Sequence, residues 1–178
     1  MSATNINGLL EDINSRIAQN LAYPKVKYFE QAYLQEKNEQ TFPIVSKGNG
    51  QAYQISPNEF ALQSYHRVIN SETETDYTRG KGKNPYMMRV YTIRNVWLGT
   101  LSKIPSKVYE STDDVKNDVY TAFPTILTNK EIIKSNSENI NKQEILDEEF
   151  AGVDLKNLSL ELVVFYIEYE IRQKVNCN

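Results

Sequence analysis

The chain has 178 residues, enough for one substantial core and tight for two. Its 20 basic and 23 acidic residues leave a net charge of -3, which argues against a general nucleic-acid binder, since that needs a basic field; a small local patch is still allowed. The single cysteine, Cys177, excludes an internal disulfide and a cysteine metal cluster.

The longest apolar run, residues 162–167, falls far short of the roughly 20 residues of a membrane-spanning helix. Residues 1–7 carry no basic start and no apolar run follows them. The expectation is therefore a soluble chain made in the cytoplasm, without a membrane partner. Twelve tyrosines stand beside one tryptophan. Tyrosine joins a large apolar ring to a polar tip, which suits half-buried strands and protein interfaces alike.

Ile6, Leu9, Leu10, Ile13, Ile17 and Leu21 recur at helical spacing on an otherwise polar segment. Thr4 or Asn5 can cap this helix, and Pro24 bars its extension. From Lys25 the period changes to that of a strand, with Val26, Tyr28 and Glu30 on one side. A second strand is expected over residues 42–45. Lys47-Gly48-Asn49-Gly50 then turns the chain so that residues 52–55 return as a hairpin partner.

Residues 60–69 alternate as another strand, with Leu62, Ser64, His66 and Val68 against Gln63, Tyr65, Arg67 and Ile69. Residues 71–85 are almost free of apolar side chains. Glu72, Glu74 and Asp76 come first, then Arg79, Lys81 and Lys83, which reads as a long exposed hairpin loop suited to recognition. Residues 86–98 form the longest strand candidate. Ser111-Thr112-Asp113-Asp114 has the form of a helix start, with Val115, Val119 and Ala122 or Phe123 as the inner face.

Residues 129–143 are polar, and Ile132, Ile133, Ile140 and Ile145 suggest short strands or a hairpin. Residues 158–172 close the chain as a strong strand. Val163, Phe165, Ile167, Tyr169 and Ile171 share one face. On the other, Leu162, Val164 and Tyr166 give way to Glu168 and Glu170, so the first half is expected to be covered on both faces. The order predicts a single α+β domain over residues 1–178, with a mainly antiparallel sheet, an N-terminal amphipathic helix and a second helix packed on it.

Catalytic chemistry has few places to sit. His66 is the only histidine, at mid-strand, and is read as structural or on the surface. One histidine and one cysteine cannot build a typical zinc site. Asp147-Glu148-Glu149 is the densest acidic cluster, but neighbours in sequence seldom converge on one point, so a solvated face is expected. Gly48-Asn49-Gly50 lacks the Lys-Ser/Thr pair of a phosphate loop. The expectation is a non-enzyme with no catalytic, cofactor-binding or metal residues. Its interaction residues are Glu72, Glu74, Asp76, Arg79, Lys81 and Lys83, together with Glu168 and Glu170, whose shared face could meet a basic neighbour across an interface.

This layout resembles the tail-terminator and head-to-tail connector proteins of tailed bacteriophages. Those are small α+β proteins with an amphipathic N-terminal helix, an antiparallel sheet, a second helix after the long strands and a strong final strand. Residues 6–21, 86–98, 111–123 and 160–171 hold those places here. The resemblance is architectural and rests on no single motif; the Asn-, Ile-, Lys- and Tyr-rich usage also resembles phages of AT-rich hosts. It implies a structural virion protein of the tail or neck, assembled in the bacterial cytoplasm. Copies would form a hexameric ring that ends a tail tube or joins it to the connector, with tail-tube and connector proteins as partners and DNA passing through the lumen. A tail-tube or baseplate protein is the nearest alternative. Other classes are a small acid-dependent hydrolase using residues 147–149 and a monomeric adaptor.

Overall fold

The computed structural model describes residues 6–21, 23–76, 86–104, 111–127, 130–135, 141–155 and 161–175. Helix α1 (Ile6–Asn20) buries Leu9, Leu10, Ile13 and Ile17, the stripe expected from the sequence. Lys25, just after Pro24, adopts a φ of 66° and redirects the chain into β1 (Val26–Lys37). Asn38 and Glu39 have φ of 52° and 61°, and Asn49 and Gly50 have 52° and 74°. Two consecutive positive φ angles form the tight turn that matches strand twist. These turns connect β1 to β2 (Gln40–Gly48) and β2 to β3 (Gln51–Gln54).

Strands β4 (Leu62–Asp76) and β5 (Tyr86–Thr100) pair from Leu62↔Gly99 to Asp76↔Tyr86. Helix α2 (Thr112–Ala122) opens on a capping box in which the Ser111 hydroxyl accepts from the Asp114 amide and the Asp114 carboxylate accepts from the Ser111 amide. Val115, Val119, Ala122 and Phe123 are all buried. Then follow β6 (Ile126–Leu127), β7 (Lys130–Ser135), α3 (Lys142–Glu149) and β8 (Leu162–Val175).

The result is a mixed α+β fold whose sheet has the order β3-β2-β1-β4-β5-β8-β7-β6. Among the described residues the one parallel pairing is β1 with β4, and every other is antiparallel. One core joins α1 and α2 to the face bearing Leu62, Ile93, Trp97, Val163, Phe165, Ile167, Tyr169 and Ile171. A second core joins α3 and the β1–β3 end to the opposite face, through Tyr65, Val96, Leu98, Leu162, Val164 and Tyr166. The expected alternation of the last strand, doubly covered in its first half, is therefore observed. Among the described residues no helix is long and apolar enough to cross a membrane.

Several expectations need correction. The acidic half of the expected loop, through Asp76, is strand: the β4–β5 ladder continues to its end, and residues 77–85 lie outside the described residues. Ile145 belongs to helix α3 and not to a strand. That helix starts after Asn141, whose side chain accepts from the Gln143 amide at 3.0 Å, within a stretch too polar to show a helical stripe. β1 and β2 are also longer than expected, because Asn38-Glu39 makes the turn without the glycine that usually marks one. Thr4 and Asn5, the candidate caps of α1, and Ile140 lie outside the described residues.

Gly99 is the tightest point of the long ladder. A Cβ there would stand 2.5 Å from the Ala61 carbonyl oxygen, which already accepts from the Thr100 amide at 3.0 Å. Backbone cannot yield as a side-chain end can. Gly99→Ala is expected to cost about 2 kcal/mol in urea unfolding, in the range typical of overpacking. Gly8→Ala, which faces open space on α1, is the control and should cost nothing.

Candidate functional site

His66 lies on β4 under α1 and is fully buried. The Asn14 amide donates to the Phe29 carbonyl at 3.0 Å, so its oxygen is left to accept from His66 Nε2, at 2.8 Å. His66 Nδ1 then accepts from the Tyr169 hydroxyl at 2.8 Å. Asn95 lies alongside, donating to the Tyr65 carbonyl and accepting from the Trp97 indole. Burial lowers the His66 pKa from 6.5 to about 3, so the ring is neutral. With both nitrogens engaged inside the core, this histidine ties α1 to β4 and β8. Of the two placements expected from the sequence, structural or on the surface, burial excludes the surface one.

On the opposite face, Arg67 and Arg94 meet the end of α3. Arg67 contacts Glu148 through Nη2 and lies 3.0 Å from Glu149 through Nη1. Arg94 Nη1 is 2.7 Å from Glu148, its Nε is 3.0 Å from Glu168, and its guanidinium stacks 4.6 Å from the Tyr166 ring centre. The Tyr65 hydroxyl donates to Glu149 at 2.9 Å. Burial pushes the Glu149 carboxyl up, and Arg67 and Tyr65 offset this only in part. Burial also opposes ionisation of Glu148, but Arg67 and Arg94 outweigh it and hold that carboxyl below its usual range.

The acidic cluster therefore splits. Asp147 and Glu148 are exposed, whereas Glu149 is buried, which corrects the expectation of a solvated face. The two adjacent glutamates do converge on one partner, Arg67.

The expected interaction residues fall into three groups. Glu72 and Glu74 are exposed on β4, and Asp76 closes its ladder opposite Tyr86. Glu168 meets Arg94 of its own chain, while Glu170 meets Arg172 two residues along the same strand at 3.4 Å. Arg79, Lys81 and Lys83 lie outside the described residues. Arg67, Arg94 and Arg172 were not singled out from the sequence. Alternation places Arg67 opposite the His66 face, but its glutamate partners sit on α3, a helix the sequence pattern does not announce.

Among the described residues, no group of three or more His, Cys, Asp or Glu side chains is placed to hold a metal ion. A depression of about 370 Å³ on β1–β3 is lined by Gln35, Asn38, Gln40, Phe42 and Ile44, with Lys37 as the one charged residue of the described lining. It brings no acid and base together.

A different feature is the far end of the long strands. The β1–β4 ladder ends at Gln31↔His66, after which β1 pairs with β2. β4 nevertheless continues along β5 to Asp76. Among the described residues no strand pairs with its other edge over residues 67–76, and residues 69–74 are exposed at every position, hence on both faces. An edge strand of this kind presents unpaired N–H and C=O groups to any partner. Comparison of the chain with protein-family models, curated proteins and solved structures returns no match.

The His66 site has a checkable pH signature. Its pKa is near 6.5 when unfolded and about 3 when folded. The unfolded chain therefore holds the extra proton between those values, and stability falls as pH drops through that window. From about pH 7 to about pH 4 this group should remove on the order of 3 kcal/mol of stability. His66→Gln should be less stable at neutral pH and show a flatter decline in urea midpoint with acidification. An unchanged slope would rule out His66 as the source.

Proposed function

We propose that this chain is a structural assembly protein of a tailed bacteriophage. In this reading copies dock to one another and close into a hexameric ring in the tail or neck of the virion. The ring ends the tail tube or joins it to the head connector. Its partners are tail-tube and connector proteins, and DNA passes through its lumen.

The observation that carries this reading is the open edge of β4, exposed at every position over residues 69–74 and backed by a fully paired β5. A rigid, solvent-facing strand edge is a ready template for pairing with another chain. The mixed α+β architecture, with α1 and α2 on one face and β8 deep in the sheet, agrees with the layout that suggested the resemblance. The acids that an acid-dependent hydrolase would use favour the assembly reading. Glu148 and Glu149 are already engaged by Arg67 and Arg94, and catalysis would require breaking those pairs.

Native mass measurement and negative-stain electron microscopy on one concentrated sample test the proposal. The expected result is a mass several times that of the 20.6 kDa chain and images of closed rings with a central hole. Stacked tubes would reassign the chain as a tail-tube protein. A monomer at every concentration, with tail-tube and connector proteins present as well, would overturn the assembly reading.

A further inference from the structure

The far end of the sheet carries its charge in an ordered way. Register sets Glu72 opposite Val90 on β5, and Val90 in turn opposite Arg172 on β8. One step further, Glu74, Met88 and Lys174 stand at one level. The central strand of this three-stranded segment is therefore apolar at both levels. Its β4 edge is acidic and its β8 edge is basic.

Neither outer edge is laddered to another strand at these levels among the described residues, although β7 itself runs on to Lys130. β4 is unpaired on that side over residues 67–76, and the β7–β8 ladder stops at Ile132↔Ile171, short of residues 172–175. Glu72, Glu74 and Arg172 are exposed. The contact of Arg172 with Glu170, at 3.4 Å between two well-exposed side chains, is a surface pair of little energy and exchanges easily.

We infer that the acidic β4 edge of one copy docks against the basic β8 edge of the next, head to tail. The strand directions suit such a contact. β4 and β8 both run antiparallel to β5, so they run parallel to each other. A neighbour set beside β4 in the same orientation presents β8 in parallel, with the same face of the sheet continuing across the junction. Sideways displacement at constant level then brings Arg172 of the neighbour beside Glu72 and Lys174 beside Glu74.

A two-fold contact does the opposite. Pairing β4 with its own copy about an axis near Thr73 sets Glu72 against Glu74 of the partner, and like charges placed opposite one another are destabilising. The charge order thus disfavours a self-complementary dimer in that register and favours a heterologous contact, which closes into a ring or runs on as a filament. This inference rests on the assembly reading above and names the surface that would carry it.

Three variants of the full chain test the contact, each first checked for a wild-type circular dichroism spectrum and unfolding midpoint. Glu72→Lys with Glu74→Lys makes both edges basic. Arg172→Glu with Lys174→Glu makes both acidic. Each is expected to raise the concentration needed for assembly by roughly tenfold or more, because like charges then face each other across the junction. The chain carrying all four substitutions restores opposite signs and should assemble as wild type does. An equimolar mixture of the two double variants should also assemble, because each offers the edge that the other lacks.

Double variants that assemble normally would overturn the contact, leaving the acids as a guard against edge pairing. So would a four-residue variant and a mixture that both fail to assemble while folding normally. In either case a wild-type chain that still assembles leaves the ring reading intact, whereas a wild-type chain that never assembles removes that reading itself.

Discussion

Backbone pairing among β4, β5 and β8 is the interaction on which the other layers depend. β5 is bonded on both sides, to β4 from Gly99 to Tyr86 and to β8 from Thr100 to Met87. At one end this ribbon is thick. Trp97, Phe165 and Ile167 face α1 and α2, while Val96, Val164 and Tyr166 face α3 and the β1–β3 end. Apolar burial on two faces stabilises that half. The other half projects past the β1 ladder and is held by its backbone bonds to β5 and by scattered side-chain contacts. The same strands thus serve as a doubly covered core at one end and a stiff extension at the other.

Polar groups inside the thick half are arranged to avoid unpaired charge. His66 stays neutral, accepting a hydrogen bond from the Tyr169 hydroxyl and donating one to the Asn14 side-chain oxygen. Such a network adds direction to a core that apolar contacts alone would leave free to slide. On the opposite face the Arg67 and Arg94 guanidiniums face the Glu148, Glu149 and Glu168 carboxylates, which anchors the end of α3 to β4, β5 and β8. Removing Arg67 would strand the buried Glu149 carboxyl, a larger loss than the net gain of that pair. This cluster therefore reads as a clamp that fixes the second layer.

Much of this was legible from periodicity. Leu9, Leu10, Ile13 and Ile17 announce α1, Ser111 and Asp114 announce α2, and Val163 to Ile171 on alternate residues announce the buried face of β8. What escaped is physically specific. α3 is short, so Ile145 and Leu146 cannot form a stripe, and its docking depends on arginines distant in sequence. The Asn38-Glu39 turn relies on positive φ at residues that only tolerate it, so β1 and β2 seemed shorter than they are. Glu72 and Glu74 look like loop residues because both faces of β4 are solvated there, which removes the alternation that marks a half-buried strand. The acids of the candidate site were found from composition. Arg172 became visible only through the register across β5.

The open edge connects fold to function in this account, so the most direct measurement is residue-resolved hydrogen–deuterium exchange on the full chain, dilute and assembled. Amides over residues 86–100 are bonded to strands on both sides and should be protected in both states. The outward-facing amides of residues 67–76 and 172–175 should exchange freely when dilute and slow on assembly. Edge amides that exchange equally fast in both states, while protection rises elsewhere on the surface, would contradict the account.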